Sequence, residues 1–183
     1  MTAAIILAAG ASTRLGEPKQ LAMLGQEPLL ERSVRAARNA GCDPVVVVLG
    51  AAASQIRERC NLENAIVLLN QQWQEGMASS IRAGVNAAPG ADGILLMTCD
   101  QPAVTAAHLR TLIAADRVCA SAYSGRRGVP AYFPAALFPD LLRLTGDTGA
   151  RGLLQDAPAI ELAGGDLDVD TGEQLSHARE LFG

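Results

Sequence analysis

An apolar run from Ala3 to Ala9 stops abruptly at Gly10, and the loop that begins there constrains the chain most. The stretch Ala3 to Leu21 reads AAIILAAGASTRLGEPKQL. After the run come small and polar residues, Arg14, a second glycine at Gly16, then Pro18 and Lys19. A buried strand that empties into a glycine-rich, basic loop suits an anion better than a packed core. Backbone N–H groups in such a loop converge on phosphate oxygens, and glycine lets the backbone approach closely. Arg14 and Lys19 add fixed positive charge at the same place. The two familiar phosphate loops do not fit. A P-loop needs lysine followed by serine or threonine directly after its last glycine, whereas Gly16 is followed by Glu17, Pro18 and Lys19. The dinucleotide fingerprint needs three glycines in G-x-G-x-x-G, and only Gly10 and Gly16 stand here.

The rest of the composition narrows the partners. A chain of 183 residues suffices for one domain, 1–183, with a sizeable core. Apolar content is 49% but aromatic content only 3%, so the core must be built from Ala, Val, Leu and Ile. That suits helices packed on a buried parallel sheet. A net charge of −4 argues against a general nucleic-acid surface while leaving room for a local anion site. Cys42, Cys60, Cys99 and Cys119 form no C-x-x-C pair, and His108 and His177 complete no zinc pattern. Cys42, Cys60 and Cys119 flank apolar segments and read as small packed residues. The opening apolar run is too short to cross a membrane, and no basic patch precedes it. A cytoplasmic protein with no membrane or nucleic-acid partner is expected.

Strand and helix patterns then alternate, with no internal repeat. Pro28 to Ala40 carries a helical apolar stripe at Leu30, Val34 and Ala37, stopped by Gly41. Pro44 to Leu49 (PVVVVL) reads as a strand covered on both faces. A short helix is expected over Ala52 to Arg59, a strand over Ala65 to Leu69, a helix over Met77 to Ala87 and a strand over Gly93 to Met97. Thr105 to Ala114 reads as a helix and Val118 to Tyr123 as a strand; Gly125 to Phe133 reads as a loop and then a strand. Pro134 to Leu142 and Gly149 to Gln155 are short helix candidates, and Ala159 to Leu162 a candidate strand. Thr171 to Leu181 closes the chain as a helix whose capping box is Thr171 with Gln174. The expected fold is α/β: three layers around a doubly wound, mostly parallel sheet of the Rossmann-like kind. Ligands bind such sheets beyond the carboxyl ends of the strands, so residues just after each strand are the ones to examine.

Asp100 follows the fourth strand in TCDQP, where a carboxylate faces the ligand crevice. Oxygen ligands suit Mg²⁺, which usually takes one or two carboxylates plus substrate phosphates. Asp168 and Asp170 lie in DLDVDT, on one face of an extended segment, and either could supply a second carboxylate. Asn70 to Gly84 reads NQQWQEGMASSIRAG. Gly76 and the free N–H groups of the helix turn after it, at Ala78, Ser79 and Ser80, could hold a base edge or a phosphate. Trp73 could pack over a ligand or serve as a structural plug. GRRGVP (125–130) and GDTGAR (146–151) are glycine-rich loops that carry arginine. Arg126 and Arg127 could reach an acceptor phosphate, while Asp147 and Arg151 could pair with each other.

The opening loop resembles the L-A-A-G-x-S-x-R-x-G-x-x-K signature of nucleotidyltransferases, with Leu7, Ala8, Ala9, Gly10, Ser12, Arg14, Gly16 and Lys19 matching. The N-x-x-W-x-x-G-M-x-x-S-I block, the G-x-P-x-x-F stretch and the L-x-G-D-x-G-A-R block resemble one branch of that group. That branch is the molybdenum cofactor cytidylyltransferases, within the molybdenum cofactor guanylyltransferase-like family. LAAG rather than L-x-G-G, Asp100 in DQP, and Pro18-Lys19-Gln20-Leu21 match the cytidylyl branch. The resemblance implies transfer of CMP from CTP to the terminal phosphate of molybdopterin, with Mg²⁺ and with pyrophosphate leaving. It implies nucleotide contacts at Leu7, Ala8, Ala9, Gly10, Ser12, Arg14, Lys19, Asn70, Gly76, Ser79 and Ser80. Catalytic roles fall to Arg14, Lys19 and Asp100, metal ligation to Asp100 and Asp170, and acceptor binding to Arg126, Arg127, Asp147 and Arg151. A molybdenum hydroxylase is implied as the recipient of the product. Two other readings stand beside this one. One is a guanylyl- or other nucleotidyltransferase with a different phosphorylated acceptor. The other is a non-catalytic protein that binds and delivers the molybdenum cofactor, which would not need Lys19 and both carboxylates.

Overall fold

The computed structural model describes residues 1–183. Strand β1 (Thr2–Ala8) is followed by the long loop and a single 3-10 turn at Lys19–Leu21. A tiny hairpin of β2 (Met23–Leu24) and β3 (Glu27–Pro28), not expected from the sequence, leads into α1 (Leu29–Asn39). Then come β4 (Val45–Leu49), α2 (Ala53–Arg59), β5 (Ile66–Leu69), α3 (Met77–Asn86), β6 (Gly93–Thr98) and α4 (Ala106–Ala114). The last third holds β7 (Cys119–Tyr123), β8 (Arg126–Pro134), α5 (Phe138–Leu142), α6 (Arg151–Leu154), β9 (Ala159–Glu161) and α7 (Gly172–Phe182).

Seven strands form one sheet in the order β5-β4-β1-β6-β8-β7-β9. The first four are mutually parallel, and β9 is parallel to β7. Only β8 runs against its neighbours. It does so because Ser124 and Gly125, both at positive φ (48° and 71°), form a two-residue turn of the kind whose twist suits a hairpin. The expected loop at GRRG is therefore strand: Arg126 and Arg127 pair with Tyr123 and Ala122.

The pleat of β1 sends Ala4, Ile6 and Ala8 to one face and Ala3, Ile5 and Leu7 to the other. Both sets are buried, so the strand reads as a continuous apolar run. Leu30 and Val34 of α1 and Leu109 and Leu112 of α4 cover the first face. Ile81 and Val85 of α3, Leu141 of α5 and Leu154 of α6 cover the second. Gly84 lets α3 sit close on β1, since a Cβ there would meet the Ile5 Cγ2 at 2.4 Å. All four cysteines are free and buried, and burial pushes their thiols up, as packed residues should behave. No helix is long and apolar enough to cross a membrane.

The winding positions the site. From β1 the chain moves outward through β4 to β5, then returns to place β6 on the other side of β1. The crevice at such a reversal is where open α/β sheets bind ligands. Leu7 is in register with Thr98, so the loop after β1 and Asp100 after β6 emerge side by side. A small third cluster (Ala22, Leu24, Leu29, Val169, Leu175 and Ala178) docks the closing helix and the segment before it beside them.

Candidate active site

The loop after β1 is closed by its own polar groups. Ser12, at a positive φ of 53°, accepts the Lys19 N–H on its Oγ at 3.0 Å. Gln20 is fully buried and donates Nε2 to the carbonyls of Ala8 (2.7 Å) and Gly10 (3.3 Å). Sequence reasoning assigned Gln20 no role, although a glutamine directly after the loop lysine was the available signal. Its contacts hold the two ends of the loop's entry together, so that Ala8, Ala9 and Gly10 line the crevice as backbone.

At the centre stand three residues from distant parts of the chain. Lys19 Nζ donates to Asp100 Oδ2 at 2.5 Å and to Asp170 Oδ1 at 2.8 Å. The Arg14 guanidinium donates to the other Asp170 oxygen at 2.6 Å. Burial opposes the charge on Lys19, but the Asp100 and Asp170 carboxylates outweigh it and hold the ammonium above its ordinary range. Burial likewise pushes Asp170 up, and Lys19 and Arg14 outweigh it, leaving that carboxyl below its usual range. Lys19 is the only lysine in the chain; every other basic side chain is arginine or histidine. A compact ammonium reaches between two carboxylates where a planar fork would not.

The segment carrying Asp168 and Asp170 is anchored to the end of β6. Val169 N–H donates to the Asp100 carbonyl at 2.9 Å, and Gln101 Nε2 donates to the Gly165 carbonyl at 3.1 Å. The capping box of α7 forms, with Thr171 Oγ1 accepting from Gln174 N–H; Gln174 Oε1 accepts the Asp170 N–H at 3.0 Å. The cap thus fixes the backbone of Asp170. Asp168 makes no hydrogen bond to Lys19 and lines, with Asp100, the neighbouring pocket. Burial, then the charges of Asp100 and Asp170, push its carboxyl up to about 6.

The folded chain holds a proton on Asp168 more tightly than the unfolded chain, whose ordinary value is 3.8. This group's contribution to stability therefore falls as pH rises from about 4 through about 6. Asp168→Asn should raise Tm of the metal-free protein at pH 7.5 by about 2 °C or more, after screening by water is allowed for. The gain should shrink as pH drops towards 4. Thermal unfolding of both proteins across that range checks it, and a gain independent of pH would contradict the crowding of carboxylates.

Two pockets meet at this centre. The first, of about 430 Å³, is lined by Leu7, Ala8, Ala9, Gly10, Lys19, Trp73, Gly76, Ser80 and Asp100, among others. The second, of about 240 Å³, is lined by Asp100, Tyr123, Arg126, Arg127, Arg151 and Asp168, among others. Met77, Thr98 and Asp100 belong to both and form the junction. Trp73 lines the first pocket and also plugs the gap at Gly50, where a Cβ would meet its Cβ at 2.7 Å.

Several expected residues are placed differently. The first-turn amides of α3 are not free: Met77 N–H donates to Asp147 Oδ1 at 3.0 Å and Ala78 N–H to the Gly146 carbonyl at 3.1 Å. Asp147 forms no ion pair with Arg151; it caps α3 from 70 residues away and lines the first pocket rather than the second. Asn70 donates to Ser79 and Ser80 at 2.8 and 3.0 Å, and the Ser79 hydroxyl lies 2.9 Å from the carbonyls of both Gln72 and Gly76, which share its one proton. Asn70 and Ser79 are buried and brace the loop beneath the pocket. His108 and Ser121, 2.8 Å apart, are no nucleophilic pair: Ser121 is buried and donates its only proton to the Pro130 carbonyl.

No three His, Cys, Asp or Glu side chains come together as a self-sufficient metal cage. What the site offers is two carboxylates already converging on one positive charge. That is the donor set Mg²⁺ or Mn²⁺ takes when substrate phosphates and water complete its shell. The residues fit such a cation, which Asp100 and Asp170 would hold.

The family model for the MobA-like NTP transferase domain matches residues 4–162, and the chain belongs to that family; it is a nucleotidyl-transferring enzyme. It is 34% identical to nicotine blue oxidoreductase of Paenarthrobacter nicotinovorans, over 97% of this chain and 93% of that one. It is 25% identical to molybdenum cofactor cytidylyltransferase of Escherichia coli, over 97% and 95%. The crystal structure of Rv0371c from Mycobacterium tuberculosis superposes with a TM-score of 0.86 at 34% identity, covering 98% of this chain and 97% of that one. A structure of the same protein in complex with manganese gives 0.81 at 31% identity, covering 98% of each chain.

Proposed function

We propose that the protein transfers CMP from CTP to a phosphate monoester acceptor, the terminal phosphate of a molybdopterin-type cofactor, using Mg²⁺ or Mn²⁺. The observation that carries this reading is the meeting of Lys19, Asp100 and Asp170 beside the junction of the two pockets. CTP would fill the larger pocket, with its base against the backbone of Ala8 to Gly10 and the acceptor in the smaller one. An oxygen of the acceptor phosphate attacks the α-phosphorus, a new P–O bond forms, the bond to the β-phosphate breaks and pyrophosphate leaves. A phosphate with second pKa about 6 is already a competent nucleophile near pH 7, so no strong base is required. A cation on Asp100 and Asp170 would supply charge neutralisation at the α-phosphate. Lys19 and Arg14 would hold the triphosphate and stabilise the charge that builds on the leaving pyrophosphate. Arg126, Arg127 and Arg151 would hold the acceptor. The Escherichia coli relative named molybdenum cofactor cytidylyltransferase supports the choice of base and acceptor.

A relative that matches over as much of the chain is named an oxidoreductase. Hydride transfer has no need of a lysine shared between two carboxylates, which favours nucleotidyl transfer. Thermal unfolding with CTP, GTP, ATP, UTP and NADPH, each with and without Mg²⁺, separates the readings. At about 100 times Kd a ligand stabilises by roughly 2.7 kcal/mol, or about 5–10 °C in a chain of this size. A Mg²⁺-dependent rise with CTP is expected. A rise with GTP alone would move the assignment to guanylyl transfer, and a rise with NADPH alone would overturn transfer altogether.

A further inference from the structure

Three cavities lie in series. The nucleotide pocket and the acceptor pocket share Met77, Thr98 and Asp100. Beyond the acceptor pocket is a third recess of about 240 Å³ that shares Arg126, Arg127, Arg151 and Leu154 with it and none of the junction residues. The reacting phosphate must sit at the first junction, where Asp100 and Lys19 are. The three guanidiniums line both the acceptor pocket and the third recess and so stand at the second junction.

Those guanidiniums line the recess with no carboxylate at ion-pairing distance. None of the three makes an ion pair, although other arginines (Arg14, Arg35, Arg82 and Arg143) do. Arg127 is tethered by its Nε to the Ala157 carbonyl at 2.8 Å, which fixes the fork and leaves its terminal nitrogens unengaged. Arg126 is close enough for its charge to act on Asp168 across the acceptor pocket, yet it does not pair with it. All three are exposed, so water screens their mutual repulsion, but three like charges around one recess in a chain of net charge −4 make a local field that draws an anion. One phosphate, already engaged at the first junction, cannot satisfy both ends of the pocket.

We propose that the recess lined by Arg126, Arg127 and Arg151 is a second anion subsite. It takes a separate anionic group of the acceptor, remote from the attacking phosphate, so the enzyme selects acceptors that are anionic at both ends. The proposal rests on the reading of the middle pocket as the acceptor pocket.

Calorimetry with pentane-1,5-diol monophosphate and bisphosphate, at fixed ionic strength, tests it. The bisphosphate should bind the unaltered protein at least tenfold more tightly than the monophosphate. The double variant Arg126→Gln/Arg151→Gln should bring that ratio close to one. A control with the same loss of charge elsewhere, Arg59→Gln/Arg143→Gln, should keep it. A ratio near one in the unaltered protein, or one that survives in the Arg126/Arg151 variant, overturns the subsite. CTP with Mg²⁺ is titrated in the same series. CTP binding with a ratio of one removes the subsite alone, whereas absent CTP binding removes the nucleotidyl-transfer reading and leaves the ratio readable.

Discussion

Lys19→Met and Asp100→Asn should each lower kcat for pyrophosphate release by about 10²–10³-fold, the usual loss for one preorganised charge. The reason is geometric: one ammonium is held 2.5 Å from one carboxylate and 2.8 Å from the other, so each residue positions its partners as well as any phosphate. The single variants should also lose stability, because each leaves an uncompensated charge in a half-buried site. That loss is roughly 3 kcal/mol at most, since all three side chains keep some contact with water. The double variant Lys19→Met/Asp100→Asn separates the two effects. It removes the charge imbalance, so Tm should recover towards that of the unaltered protein while turnover stays lost. Lys19→Arg should not rescue, because a planar fork does not substitute for an ammonium shared by two carboxylates. Turnover within tenfold of normal in Lys19→Met would overturn its role at the triphosphate.

Gly76→Ala should be the most damaging single methyl group in the chain. Gly76 has φ 108° and ψ 178°, a conformation essentially reserved for glycine and costing a side chain of order 1–3 kcal/mol. A Cβ there would also meet the backbone carbon and oxygen of Gly146 at 2.6 Å, and backbone cannot swing aside as a long side chain can. The two loops must separate, which breaks the hydrogen bonds from Met77 to Asp147 and from Ala78 to Gly146. A fall in Tm of about 10 °C or more is expected from the sum. Nucleotide binding should weaken with it, because Gly76 and Asp147 both line the larger pocket. Unfolding curves and CTP titrations on one preparation check both. A stable variant with normal CTP affinity would show that the clasp between the loops is dispensable.

Much of the fold was legible locally. Valine-rich and leucine-rich runs gave the strands, and apolar stripes stopped by glycine gave the helices, because side-chain period and backbone geometry are set within a few residues. The Met23–Pro28 hairpin escaped, since two residues per strand carry no period. The start of β8 looks like a loop in the sequence because its only strand signal is its partner β7. Asn70 carries the motif and Ser79 is an expected nucleotide contact, yet their hydrogen-bonding groups turn inward to brace the loop.

The sequence by itself determined that a buried strand ends in a basic, glycine-rich loop, that Asp100 follows a strand end, and that Asp168 and Asp170 precede a capped helix. Spacing along the chain was enough for these, since each depends on neighbours a few residues away. Only the tertiary structure decided that Lys19 lies between Asp100 and Asp170, which are 81 and 151 residues further on. It also turned Asp170 rather than Asp168 towards Lys19, and it engaged Asp147 with the first amide of α3. These pairings come from strand order: placing β6 beside β1 and docking α7 on the small third cluster closes long loops whose ends carry no local sign of one another.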